Sequence, residues 1–152
     1  MADFYADSSV LVKRHIRELG TDQFLALADP TLGHTIITVQ VSVVEVVSAL
    51  RRHVREGVLS AEDAHQLGAD FDGLCATEYR VVAVSALVIT QACQLLTRHP
   101  LRAYDAVQLA AALIANAALL AGALPPLTLL SADARLLHIA SVEGLRIENP
   151  GA

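Results

Sequence analysis

Short apolar or β-branched runs alternate with helical repeats along the whole chain, and that alternation most restricts the folds open to it. Strands joined through helices run parallel, so repeated units of this kind build a parallel sheet covered by helices on both faces. Residues 4–6 read as a short buried strand ending at Asp7, and Ser8-Ser9 can cap a helix running through Val10, Leu11, Lys13 and Ile16 toward Leu19. A second short helix is expected over 22–28, a β-branched strand over 34–38, and a helix over 40–55 with Val43, Val44, Val47 and Leu50 among its apolar positions. Ser60 opens a capping signal for a helix toward Tyr79. A strand over 80–84, a helix over 85–98, a long Ala-rich helix from Leu101, a strand over 127–130, a helix over 132–140 and a last strand at 145–147 complete the series. No repeat or Gly/Ser-rich linker interrupts it, and the turn signals, such as Asp29-Pro30 and Pro125-Pro126, only separate elements. The expectation is one α/β domain over 1–152, a three-layer α/β/α arrangement around a mainly parallel sheet of about five strands. Ligands of such sheets bind beyond the carboxyl ends of the strands.

A hydrophobic share of 54% with 18% charged residues exceeds what the interior of a lone domain of 152 residues needs, so some apolar surface should be covered by a partner. Residues 106–132 carry no charge, which raises a membrane span against a buried helix. The buried helix is favoured, because the stretch is largely Ala and contains Gln108, Asn116 and Gly122. The first residues lack the basic and apolar regions of a signal peptide. Cys75 and Cys93 match no zinc or redox spacing and read as reduced core thiols of a cytoplasmic protein. A formal charge of −5 gives no general attraction to phosphate backbones, so nucleic-acid contact would depend on local basic groups or on metal.

Four acids fall where that contact would need them. Asp7 stands where the first strand gives way to a helix, Asp105 in the first turn of the long helix, and Asp133 just after the 127–130 strand. Each has an ordinary reading as a cap or a partner of the helix dipole, and Ser131 competes with Asp133 for the cap. Glu45 lies among valines, where an unpaired buried carboxylate would cost several kcal/mol. It needs a cation or donors there, unless it lies on a narrow solvent-facing stripe with Ser42, Ser48 and Arg52. Together the four suit a site for Mg²⁺ or Mn²⁺ better than zinc, since oxygen ligands prefer hard cations and no histidine shows metal-ligand spacing.

Several stretches carry a family resemblance over essentially the whole chain: Tyr5-Ala6-Asp7-Ser8-Ser9-Val10-Leu11-Val12-Lys13, Glu45 with Ala49-Leu50-Arg51-Arg52, Leu101-Arg102-Ala103-Tyr104-Asp105-Ala106-Val107-Gln108-Leu109-Ala110, Leu130-Ser131-Ala132-Asp133-Ala134-Arg135-Leu136, and the closing Gly144-Leu145-Arg146-Ile147-Glu148-Asn149-Pro150. In order and spacing the chain resembles the PIN-domain endoribonucleases, especially the VapC-like toxins of VapBC-type toxin–antitoxin pairs. The resemblance implies a PIN-like fold and an acid set of Asp7, Glu45, Asp105 and Asp133, with Ser9 and Ser131 hydrogen-bonding the carboxylates or metal-bound water. It implies Mg²⁺- or Mn²⁺-dependent in-line hydrolysis of RNA phosphodiesters in the cytoplasm, a cognate antitoxin and a homodimer. Gln40-Val41-Ser42 departs from the small and hydroxyl residues many relatives carry there and leaves the local helix start open. Arg102 and the cluster Arg51, Arg52, His53 and Arg55 are candidate RNA contacts, or solvated partners of helix ends, and Tyr104 either stacks on a base or packs.

Two other acid-using classes fit poorly. The haloacid-dehalogenase type needs a DxDx[TV] run, and the stretch from Asp3 to Ser9 does not supply one; a receiver domain needs a later lysine, and none follows Lys13. A non-catalytic PIN-fold binding module remains the alternative to a metal-dependent ribonuclease.

Overall fold

The computed structural model describes residues 1–152. The chain runs β1 (Asp3–Ala6), α1 (Ser8–Leu11), a 3-10 turn (Val12–Arg14), α2 (Thr21–Leu27), a second 3-10 turn (Pro30–Leu32), β2 (Thr35–Val39), α3 (Gln40–Arg55), α4 (Ala61–Thr77), β3 (Tyr79–Val82), α5 (Ala86–Arg98), α6 (Ala103–Ala121), β4 (Thr128–Leu130), α7 (Ala134–Val142) and β5 (Arg146–Glu148). The five strands form one parallel sheet in the order β3-β2-β1-β4-β5. The expected three-layer α/β/α architecture is therefore the one found.

Side chains alternate across a strand, and that period sorts the core into two layers. Tyr5, Ile37, Val39 and Leu129 pack with α5, α6 and α7, while Phe4, Ala6, Ile36 and Leu130 pack with α1 to α4. Helix α6 has the length and composition of a membrane span, yet its first half lies in the core with Ala106, Leu109, Ala110, Ala111 and Ala112 buried. Those small side chains let α6 lie close against α5 and β2.

Three expectations need correction. The first helix does not continue toward Leu19, and of the two caps the sequence offered, Asp7 and Ser8-Ser9, it uses Asp7. The Lys13 ammonium is buried and donates to the Leu19 carbonyl at 2.6 Å and to Glu18 at 3.2 Å, while the Thr21 hydroxyl donates to the Lys13 carbonyl at 2.9 Å. These bonds wrap the chain around the lysine in place of another helical turn. In α3, Val44 and Val47 are exposed, and Ser42, Val46 and Leu50 face inward. Finally, both cysteines are free thiols, but Cys75 is half-buried and Cys93 exposed, so Cys93 is not a core residue.

Candidate active site

Strand addition reverses direction between β1 and β4, and the crevice beyond the carboxyl ends at such a reversal is where open α/β sheets take ligands. Asp7 leaves β1 at this point. Its backbone N–H donates to the Leu130 carbonyl at 3.2 Å, and its Oδ1 accepts the Val10 N–H at 3.2 Å as the cap of α1. The Ser9 hydroxyl donates to the same oxygen at 2.6 Å, and the Ser131 hydroxyl donates to Oδ2 at 2.5 Å. Both serines then act as acceptors, Ser9 from the Ala132 N–H and Ser131 from the Asp133 N–H, each at 3.0 Å. The ends of β1 and β4 are thereby tied together around one carboxylate.

Asp7 is only 5% exposed. Burial pushes its carboxyl up to about 6, against the pull of Ser131, Ser9 and the Val10 N–H, and the charge of Glu45 adds to the rise. A buried acid with hydroxyl partners and no cation is a group that a bound cation would stabilise.

Glu45 reaches the same edge from α3. Its Oε2 accepts from the Ser8 hydroxyl at 3.0 Å and its Oε1 from the Gln108 amide at 2.8 Å. Of the solvent-facing stripe, Ser48 and Arg52 are exposed and Glu45 is half-buried, but Ser42 is fully buried and does not belong to it. The open question at the start of α3 resolves at Gln40, with Val39 at the cap position and no side-chain cap bond.

The other two acids form a second pair. Asp105 lies in the first turn of α6, with the largely exposed Arg102 guanidinium 3.5 Å away. Burial raises the Asp105 carboxyl; Arg102 pulls it down, Asp133 adds to the rise, and Arg135 lowers it. Asp133 caps α7, its Oδ1 accepting from the N–H groups of Arg135 at 2.9 Å and Leu136 at 3.3 Å. Asp105, Asp133, Arg102 and Arg135 line one cleft of about 30 Å³.

The four acids thus share one edge of the sheet as two pairs, Asp7 with Glu45 and Asp105 with Asp133, linked through Ser131. As the side chains stand, no three of them are arranged to hold an ion. The reason is local: Asp133 spends an oxygen on its helix cap, and Asp7 and Glu45 are occupied by serines and Gln108. The donor chemistry nevertheless fits a hard divalent cation. Every candidate ligand is an oxygen, and Asp7, Glu45 and Asp133 take part in none of the chain's ion pairs.

Arg51 and Arg52 are not brought to this edge. They follow Glu45 on α3 by roughly 9–10 Å of helix axis, pointing away from the strand ends. Arg51 lines a cleft with His65 and Asp72, and Arg52 sits 4.0 Å from Glu56. Tyr104 is exposed beside the acids' helix start rather than packed. Sequence reasoning missed Tyr5, Ser8, Gln108 and Arg135 as members of the site. Gln108 had a signal, an amide three residues after Asp105 within an otherwise apolar helix face.

The family model described as PIN domain matches residues 4–142. No curated protein matches the chain. Among solved structures it is similar to VapBC2 from Rickettsia felis bound to a DNA fragment from its promoter, at TM-score 0.68 and 12% identity over 97% of this chain and 98% of that one. It is also similar to FitAB bound to the IR36 DNA fragment, at TM-score 0.65 and 13% identity over 98% and 96% of the two chains. FitAcB from Neisseria gonorrhoeae gives TM-score 0.64 and 13% identity over 97% of each chain. Identities this low speak for a shared fold.

Proposed function

The chain belongs to the PIN-domain family, and on that premise we propose that it is a Mg²⁺- or Mn²⁺-dependent endoribonuclease, the toxin of a toxin–antitoxin pair acting in the cytoplasm. One observation carries the metal-dependent reading: a buried carboxylate, Asp7, stands with Glu45 at the reversal point of the sheet, and no cationic side chain pairs with either. Asp7 and Asp105 would be the principal ligands, with Glu45 and Asp133 binding directly or through water. A divalent cation held there lowers the pKa of water and offsets the charge that develops on a phosphate under attack. The protein's own part is to hold the acids in place, with a bound cation favouring the ionised form that burial of Asp7 and Asp105 disfavours. Ser9 and Ser131 fix the two Asp7 oxygens by one hydrogen bond each, and Arg102 and Arg135, which line one cleft with Asp105 and Asp133, would bind a substrate phosphate.

The partners follow the same reading. The solved relatives include VapBC2 and FitAB, assemblies crystallised with DNA, which supports an antitoxin partner for this chain. Exposed apolar side chains such as Val44, Val47, Leu87 and Leu120 support protein partners generally, a second copy among them.

Incubation of the purified protein with mixed RNA and Mg²⁺ or Mn²⁺ tests the proposal. Cleavage that EDTA abolishes and Asp7→Asn removes is the expected result. Undiminished cleavage by Asp7→Asn would overturn the assignment of Asp7, and binding of Mn²⁺ without cleavage would favour the non-catalytic binding module.

A further inference from the structure

Behind Glu45 lies a buried chain of hydrogen bonds that the four-acid reading does not use. The Tyr5 hydroxyl, fully buried, donates to Gln108 Oε1 at 2.7 Å. Gln108 Nε2 lies 2.8 Å from both Ser42 Oγ and Glu45 Oε1. Ser42 Oγ is in turn 2.7 Å from Thr38 Oγ1, which donates to the Ala6 carbonyl at 2.8 Å.

The donors along this chain can be assigned by counting hydrogens. A hydroxyl has one hydrogen to give and an amide nitrogen two. The Ala6 carbonyl can only accept, so it takes the Thr38 hydrogen, and Ser42 must then donate to Thr38. Ser42 is left to accept from Gln108, which requires the amide nitrogen on that side. Tyr5 requires the same orientation, because a phenol donating to Gln108 needs the amide oxygen facing it. A phenol, with an ordinary pKa of about 10, is protonated at neutral pH and so able to donate. With its oxygen and one N–H committed, Gln108 has one N–H left, and it points at Glu45. Ser8 donates to the other oxygen of the same carboxylate.

We propose that Gln108 is a positioning residue for Glu45, and that Tyr5 acts through it by fixing which end of the amide faces the carboxylate. The proposal rests on the reading of Glu45 as a member of the metal-holding acid set. The device differs from the serines around Asp7 in that it reaches across layers: Tyr5 is on β1, Gln108 on α6, and Ser42 and Glu45 on α3. It sets the distance between α6, which carries Asp105, and α3, which carries Glu45.

The test compares wild type with Tyr5→Phe, Gln108→Leu, Glu45→Gln and the Gln108→Leu/Glu45→Gln double variant. Three measurements are needed: Mn²⁺ affinity by titration, kcat and KM for RNA, and the NMR signals of the Gln108 side-chain amide in metal-free protein. Loss of a partner behind a metal ligand weakens metal binding by roughly 10–100-fold, and Gln108→Leu should fall in that range with kcat reduced and KM for RNA little changed. Tyr5→Phe, which keeps the ring and its packing, should weaken Mn²⁺ binding in the same direction and speed solvent exchange of the Gln108 amide protons. In the Glu45→Gln background, Gln108→Leu should add almost nothing. Unchanged Mn²⁺ affinity in Tyr5→Phe, or an equal loss from Gln108→Leu in both backgrounds, overturns the proposal. If Gln108→Leu does not fold, Tyr5→Phe decides alone. A wild type that binds no Mn²⁺ overturns the functional reading itself. A wild type that binds Mn²⁺ while both variants match it leaves that reading standing and removes only the role of Gln108.

Discussion

Asp7 joins several roles in one side chain: it caps α1, accepts from two serines and carries a charge inside the protein. Its carboxyl is raised from 3.8 to about 6 in the fold, so the folded chain holds a proton that the unfolded chain has released across that interval. The stability associated with that proton is fully present below about 4 and is lost as pH rises through about 6. Asp7→Asn, which can still cap the helix, should therefore stabilise the metal-free protein by about 3 kcal/mol above pH 6 and by almost nothing below pH 4. Urea denaturation in EDTA at several pH values checks this, and a pH-independent difference would show that the charge of Asp7 is not what the site carries as strain. The four acids were legible in the sequence because each stands at a strand end, a helix start or among valines, which are local facts. Gln108 stood out only as an amide on an apolar helix face; its role was not legible, because that lies in Tyr5, Ser42 and Glu45, residues that only the fold brings to it.

At the scale of elements, the alternation of strand and helix was readable from periodicity alone, and α3 begins and ends at the residues expected, Gln40 and Arg55. Which face of α3 turns inward was not readable. Ser42 is buried in preference to Val44 because it has hydrogen-bond partners on β2 and α6, and no hydrophobic pattern reports those. The early end of α1 has the same origin, since Lys13 finds its acceptors in a loop. Helix α6 shows what the small side chains achieve. Ala110 is fully buried and Ala117, two turns on, is exposed. Ala110→Leu should cost about 1–3 kcal/mol by overfilling the space between helix and sheet, whereas Ala117→Leu should be close to neutral. Denaturation midpoints of the two variants test whether α6 is held by close approach to the core, and equal midpoints would deny it.

Across the whole molecule, negative charge accumulates at one end of the sheet, in a protein with a net charge of −5; Arg102 and Arg135 compensate it beside Asp105 and Asp133, and no cationic side chain pairs with Asp7 or Glu45. Under the proposed function, a divalent cation at 100 times its dissociation constant should stabilise the fold by about 2.7 kcal/mol. For a domain of this size that is on the order of 5–10 °C in Tm. A thermal melt with Mn²⁺, repeated with EDTA and with Asp7→Asn, should show the shift only in the first case. The order of strands also bears on how the protein comes into being. The first strand made is the middle of the finished sheet, and its second neighbour, β4, is made near the end; the Ser131–Asp7 bond joins positions 124 residues apart. While the chain is growing, β1 waits with one edge bare, and Asp7 waits without Ser131 or the acid beyond it. A chain cut short before β4 therefore lacks the central strand's second neighbour, Ser131 and Asp133 together, and leaves Asp7 with Ser9 as its one serine partner.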